Sequence, residues 1–241
     1  MADRFYCPDP PVAGRWTLAG EEARHLARVR RLGAGDLVEV FDGRGMAYRA
    51  EVCMVGKDHV ELAAVGSPIT EPVPGVHLTL ATAVPKGERF DWLVEKAVEV
   101  GVARLVPLQT ERSVVDPRAA KLERLRRLVI EASKQCGRSR LMEIGSPMPL
   151  ADYLGLEAAP IRLLAHPGGS LAPSWPRGEP GGRAALAIGP EGGFTDAEVA
   201  AARAAGWQLV GLGPTILRIE TAGLVGAALI LAFLSSEVRV H

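Results

Sequence analysis

Three short segments carry the residues best suited to chemistry: Leu164-Ala165-His166-Pro167, Gly189-Pro190-Glu191-Gly192-Gly193, and the run from Gly211-Leu212-Gly213 through Pro214, Thr215, Ile216 and Leu217 to Arg218. Glycine lets a ligand come close to the main chain and leaves N–H and C=O groups free to bind it. Each segment follows an apolar run that reads as a strand, and in a parallel α/β sheet ligands sit beyond the carboxyl ends of the strands. Three such ends on one edge make a ligand pocket; the plainer reading is three tight turns in a chain with 27 glycines. No GxxxxGK[ST] occurs and no GxGxxG follows a strand, so the usual apparatus for phosphates or dinucleotides is missing. Backbone contacts and apolar walls suit a ligand without phosphates, a description that several ligands satisfy.

Charged side chains border these segments. Arg218 leads out of the third one and could polarise a carbonyl or fix a phosphate; alternatively it forms a salt bridge with Glu220. Glu220 or Glu131 could accept a proton, or orient an arginine instead. Arg112 and Arg138 suit phosphate or base contacts, with structural ion pairs as the alternative. His166, before a proline at a strand end, reads as pocket wall or backbone support rather than as a general base. Cys136 ends an apolar helical stripe and reads as a buried thiol rather than a nucleophile. The five histidines (His25, His59, His77, His166, His241) have no ligand spacing, so no metal site is expected.

Composition narrows the setting. Hydrophobic residues make up 48% of the 241, too apolar for a disordered chain and enough for a real core. Cys7, Cys53 and Cys136 are odd in number and far apart, which argues for a reducing, cytoplasmic setting. Met-Ala-Asp-Arg-Phe lacks the basic-then-apolar pattern of a secretory signal. The longest apolar run, Ala222 to Leu234, is too short for a bilayer span of about 20 residues, so no membrane partner is expected. Formal net charge is zero, yet from Arg118 to Arg140 there are eight Lys or Arg and only Glu123 and Glu131 against them. Arg24, Arg28, Arg30 and Arg31 form a second basic cluster. Either is a nucleic-acid footprint or a solvated face.

Two patterns divide the elements that must hold these residues. Over the first 70 or so residues, Gly35 to Phe41 and Tyr48 to Val52 alternate polar and apolar around an Asp42-Gly43 turn, which predicts a small antiparallel barrel. A helix over Glu21 to Arg31 would place Arg24, Arg28 and Arg31 on one face. After the Pro- and Gly-rich stretch from Gly66 to Gly75, strands and helices alternate. Strands are expected at Val76–Ala83, Arg104–Leu108, Ile161–Ala165, Ala184–Ile188 and Leu209–Leu212. Helices are expected at Lys86–Val100, at Leu122–Cys136, from the Thr195–Glu198 capping box to Ala205, and at Thr221–Leu234. Gly168 to Gly182 reads as a mobile loop. This is an α/β domain with a mainly parallel sheet, and the division falls at 1–72 and 73–241.

The ordered set Lys86-Gly87-Glu88-Arg89, Glu99-Val100-Gly101-Val102, Thr110-Glu111-Arg112-Ser113-Val114-Val115, Gln135-Cys136-Gly137-Arg138, Gly189-Pro190-Glu191-Gly192-Gly193-Phe194 and Leu217-Arg218-Ile219-Glu220-Thr221-Ala222 is more specific than any one loop. Together these segments resemble the RsmE family of 16S ribosomal RNA uracil-N3 methyltransferases, in the SPOUT superfamily, from Arg4-Phe5-Tyr6 to the last helix. The resemblance implies an N-terminal PUA-like RNA-binding barrel, a C-terminal SPOUT domain with a trefoil knot, and a homodimer acting on the small ribosomal subunit. It also implies S-adenosylmethionine bound by Leu164, His166, Ile188, Gly189, Glu191, Gly192, Leu212, Gly213, Ile216, Leu217, Thr221 and Ala222. Catalysis then falls to Arg218 and Glu220, and RNA contacts to Arg24, Arg28, Arg31, Arg112 and Arg138. Ile219 stands where the family often has a small residue, and Asp116 where it often has a basic one. Another SPOUT activity, such as ribose 2′-O-methylation, and a non-catalytic ribosome-assembly factor are the alternatives.

Overall fold

A computed structural model describes residues 3–115, 119–170 and 182–235. Asp116, Arg118, His241 and positions 171–181 of the expected loop lie outside the described residues. The chain divides into two compact units: Met1–Val73 with Ile130–Leu141, and Pro74–Val129 with Met142–His241. The segment Ile130–Leu141, which the sequence division gave to the second domain, clusters with the first.

The first unit contains β1 (Arg4–Tyr6), β2 (Arg15–Ala19), α1 (Gly20–Arg24), β3 (Leu37–Phe41), β4 (Met46–Val55), β5 (His59–Ala64) and β6 (Ile69–Thr70). The strands pair in the order β1-β3-β4-β5-β2, with β6 on β4; β1 and β3 run parallel and the other pairs antiparallel. Period-2 alternation decides what each strand buries. Trp16 and Leu18, Val38 and Val40, Ala50 and Val52, and Val60 and Leu62 all enter one core with Phe5, Ala23 and Leu26. Both end strands supply that core, so the sheet encloses it as a small barrel does. At the expected turn, Asp42 Oδ1 accepts the N–H groups of Arg44 and Met46.

The helix expected over Glu21–Arg31 is shorter and less regular. It ends at Arg24, and His25–Val29 continues as a π-helical turn in which Arg30 N–H reaches His25 O. Arg31 follows with φ +57. Arg24, Arg28 and Arg31 are all exposed, but the change of helical period and the reversal at Arg31 remove the single α-helical face.

Charged side chains fasten Ile130–Leu141 within this unit. The Arg4 guanidinium, its side chain 5% exposed, donates to Glu39 Oε1 at 2.6 Å, to the carbonyls of Ser133 and Arg138, and to Ser139 Oγ. Glu71 Oε2 accepts the N–H groups of Ser139 and Arg140, and Lys134 pairs with Glu22. Burying a guanidinium costs least when its donors are satisfied in this way.

The second unit contains β7 (Val76–Ala83), α2 (Arg89–Val100), β8 (Arg104–Gln109), the start of α3 (Ala119–Cys136), β9 (Glu143–Ile144), β10 (Met148–Pro149), α4 (Leu150–Leu156), β11 (Ile161–Ser170), β12 (Gly182–Ile188), α5 (Asp196–Ala204), β13 (Gln208–Val210) and α6 (Ile219–Ser235). Its sheet order is β10-β8-β7-β12-β11-β13, with β9 on β8, and every pair among the described residues is parallel. Ala184 to Ile188 are all buried, as a strand covered on both faces requires. On α2, Phe90, Leu93, Val94, Ala97 and Val98 form the buried stripe, and Gly101 ends the helix with φ +105. On α6, Gly226 allows close packing on the sheet, because a Cβ there would lie 2.5 Å from Leu186 Cδ2. The capping box at Thr195 forms as its sequence predicts.

Element ends differ from expectation where the loops begin. β11 runs on to Ser170, with a register shift against β13 between Ala165 and Ser170. β13 stops at Val210, so Gly211 and Leu212 leave the sheet early. α6 begins at Ile219 rather than Thr221, with Ala222 N–H bonded to Arg218 O.

Candidate functional site

β11, β12 and β13 lie side by side and parallel, so the loops that leave their carboxyl ends must meet at one edge. Between them is a cavity of about 440 Å³, within the range of about 300–1,000 Å³ usual for small-molecule sites. The first loop contributes His166, the second Ile188, Gly189, Glu191, Gly192 and Phe194, and the third Leu212, Gly213, Ile216 and Leu217, with Ile219 and Ala222 from the start of α6. The expected cofactor residues thus gather here, apart from two. Leu164 is fully buried within the sheet, paired with Ala187 and Leu209, and does not reach the cavity. Thr221 is exposed on the first turn of α6 and lies off the cavity wall.

Backbone geometry shapes the pocket. Gly213 has φ +135, a conformation that an L side chain avoids. A Cβ on Gly192 would sit 3.2 Å from Arg112 Cδ, because the Arg112 side chain crosses that loop and donates to Gly192 O at 2.7 Å. The loop carrying Arg112 is fixed in turn: Glu111 N–H donates to Glu198 Oε1, and Thr110 N–H to Ser113 Oγ. Glu198 therefore closes the α5 capping box and anchors the Arg112 loop together. His166 lines the cavity while its Nδ1 accepts the Gly168 N–H at 3.0 Å. Ile219, where the family often has a small residue, forms part of the wall.

The two expected catalytic residues part company. Arg218 is exposed, lies between the lining residues Leu217 and Ile219, and makes no side-chain hydrogen bond or ion pair among the described residues. Glu220 is 6% exposed and does not line the cavity. Its Oε1 lies 3.7 Å from Arg89 Nη1, and its buried Oε2 has no hydrogen-bond partner among the described residues. Helical phase turns position 220 inward, towards α2, so Glu220 meets an arginine, the alternative its sequence position leaves open, and lies off the cavity wall. The alternative Arg218–Glu220 salt bridge does not form either. Arg89 was missed as a site residue, although it closes the Lys86–Arg89 motif; nothing local in the sequence ties it to positions 191 and 220.

The other candidates are dispersed. Arg112 is exposed and in the second unit. Arg138 belongs to the first unit, where burial pulls its guanidinium below the ordinary value while Glu71 opposes that shift. Glu131 is exposed and paired with Lys134. Cys136 is half-buried rather than buried. Among the described residues no group of three or more His, Cys, Asp or Glu converges as a metal site.

The cavity fits S-adenosylmethionine in the chemistry of its walls. Ile188, Phe194, Leu212, Leu217 and Ile219 are apolar, the glycine loops present main-chain groups, and Glu191 supplies one carboxylate for a cationic ligand.

Known proteins agree with this construction. An RNA methyltransferase domain model matches residues 72–231, and an RNA methyltransferase PUA domain model matches 18–65. Ribosomal RNA small subunit methyltransferase E of Synechocystis is 35% identical over 95% of this chain and 77% of its own length. The same enzyme from Neisseria gonorrhoeae, solved bound to S-adenosyl methionine, superposes with TM-score 0.89 at 30% identity, covering 96% of this chain and 98% of that one. A methyltransferase of Legionella pneumophila, solved in complex with SAM, gives TM-score 0.88 at 30% identity over 98% of each chain. On the match across both domains and the identity sustained along nearly the whole chain, this protein belongs to the ribosomal RNA small subunit methyltransferase E family.

Proposed function

We propose that this protein transfers the methyl group of S-adenosylmethionine to N3 of a uridine in 16S ribosomal RNA of the small subunit, in the cytoplasm. The cavity where three parallel strands deliver their glycine-rich loops carries this reading, because the expected cofactor residues converge there. When bound, the cofactor supplies an electrophilic methyl group on a sulfonium. The loops hold the reacting atoms in line, and alignment of this kind supplies much of a displacement's rate.

Uracil N3 is a poor nucleophile until it loses its proton. Arg218, exposed beside the cavity and without a partner among the described residues, supplies the positive charge that stabilises the resulting uracil anion. Arg112 remains exposed while one of its nitrogens binds Gly192 O, which leaves other donors for a phosphate. Arg24, Arg28, Arg31 and Arg138 extend the RNA footprint on the barrel unit, so residues 1–72, with Arg138, bind RNA and the rest of 73–241 carries the chemistry.

A second copy covers α6. Thr221, Ala228 and Ala232 recur on one helical face and are exposed, with Leu229 beside them and Trp92 exposed on α2. A trefoil knot is consistent with the path from β12 across to β13, on the far side of β11, and back along α6 against β7.

The test is transfer of labelled methyl from S-adenosylmethionine to small subunits lacking their natural modifications, followed by nucleoside analysis, with enzyme shown to sediment as a dimer. N3-methyluridine as the single product is expected. A ribose-methylated product would move the substrate atom and keep the cofactor; no transfer with RNA still bound would sink the enzyme reading.

A further inference from the structure

Three features of the second unit meet at one side chain. Arg89 opens α2, and its Nε donates to Lys86 O at 3.2 Å, which fixes the stem of the side chain. Its two terminal nitrogens then face different carboxylates: Nη1 lies 3.7 Å from Glu220 Oε1, and Nη2 lies 3.7 Å from Glu191 Oε1. Glu220 sits on the first turn of α6, just past the third loop, and Glu191 is in the second loop, in the cavity wall. These separations are ionic contacts longer than a hydrogen bond. The planar guanidinium is suited to them, since it presents fixed donors in two directions at once.

The surroundings of the two carboxylates differ. Glu220 is buried and one of its oxygens has no hydrogen-bond partner among the described residues, so it needs a neighbouring cation. Glu191 is half-exposed and is tied down by no other ion pair or side-chain hydrogen bond among the described residues. One cation between two carboxylates leaves the group with a net charge of −1 at the cavity.

We infer that Arg89 is a positioning residue: anchored by Glu220 and Lys86 O, it holds the Glu191 carboxylate where the positive charge of S-adenosylmethionine meets it. This rests on the cofactor reading above. Arg89 itself lines no part of the cavity, and it acts through Glu191.

The experiment is calorimetric titration of S-adenosylmethionine into the unaltered protein and into Arg89→Gln, Arg89→Lys, Glu191→Gln and the double variant Arg89→Gln/Glu191→Gln, with urea unfolding of each. Arg89→Gln is expected to weaken binding about tenfold, and Arg89→Lys to recover part of that loss. In the Glu191→Gln background, Arg89→Gln should weaken binding no further while still lowering the unfolding midpoint, because Glu220 loses its cation in either background. Equal losses in affinity from Arg89→Gln with and without Glu191 would overturn the inference, as would unchanged affinity in Arg89→Gln or in Glu191→Gln. If Arg89→Gln proves unstable, Arg89→Lys in the two backgrounds gives the same comparison. Failure of the unaltered protein to bind would instead remove the cofactor reading itself.

Discussion

The barrel unit and the methyltransferase unit are each stabilised internally, and by different means. In the barrel unit, side chains do the fastening: Arg4 satisfies four acceptors and Glu71 caps two backbone N–H groups, while Lys134 finds Glu22. In the second unit the strands are apolar and covered on both faces, and the loops at their ends are cross-tied sparingly, by Arg112 to Gly192 O and by Arg89 to Glu191 and Glu220. A scaffold can use up its polar groups internally, whereas a binding site must keep groups in reserve. Main-chain N–H and C=O groups left free in a glycine loop are what a ligand then satisfies.

The largest effect should come from breaking the barrel's fastening. Arg4→Met removes the cation and leaves Glu39, two carbonyls and Ser139 Oγ without their donor, which should cost about 3–5 kcal/mol in a urea titration. Calorimetric affinity for S-adenosylmethionine should stay near its original value in the protein that remains folded; a parallel loss of affinity would show that the two regions are not separable. Arg218→Ala should do the reverse. Methyl transfer is expected to fall about 100-fold, or about 2.7 kcal/mol in the barrier, with the unfolding midpoint unchanged. Near-normal turnover would remove Arg218 from the reaction. The smallest effect is expected at the α5 cap. Thr195→Ala should cost about 1 kcal/mol of stability and little transfer activity, because Glu198 still receives the Glu111 N–H. A tenfold loss of transfer activity would show that the cap, and not Glu198 alone, sets the Arg112 loop.

Legibility followed the range of the interactions concerned. The alternation in β3 and β4, the buried stripe of α2 and the capping box at Thr195 are local patterns, and each appears where the chain spells it. The glycine loops were legible as a pocket because parallel strands force their carboxyl ends to one edge. Where a contact from elsewhere overrides a local pattern, the structure departs from it. The helix from Glu21 was expected to continue to Arg31, yet its apolar side chains Ala23 and Leu26 belong to the barrel core and the helix turns π-helical after Arg24. Leu164 belongs to the expected cofactor set by its place in a motif, but its side chain packs into the hydrophobic core of the second unit.

The sequence by itself determined the main strand–helix alternation of the second unit, the parallel character of its sheet and the three loops that wall the cavity, since periodicity and glycine placement act within a few residues; the short β9, β10 and α4 carry no such local signal. Tertiary structure alone decided which charges meet. Arg89, Glu191 and Glu220 are far apart in the chain and come together only because α2, the loop after β12 and the start of α6 pack around one sheet. Ile130–Leu141 joins the barrel unit for the same reason: Arg4, 129 and 135 positions away from Ser133 and Ser139, finds its acceptors there. Electrostatic partners depend on distance in space, which chain position does not encode.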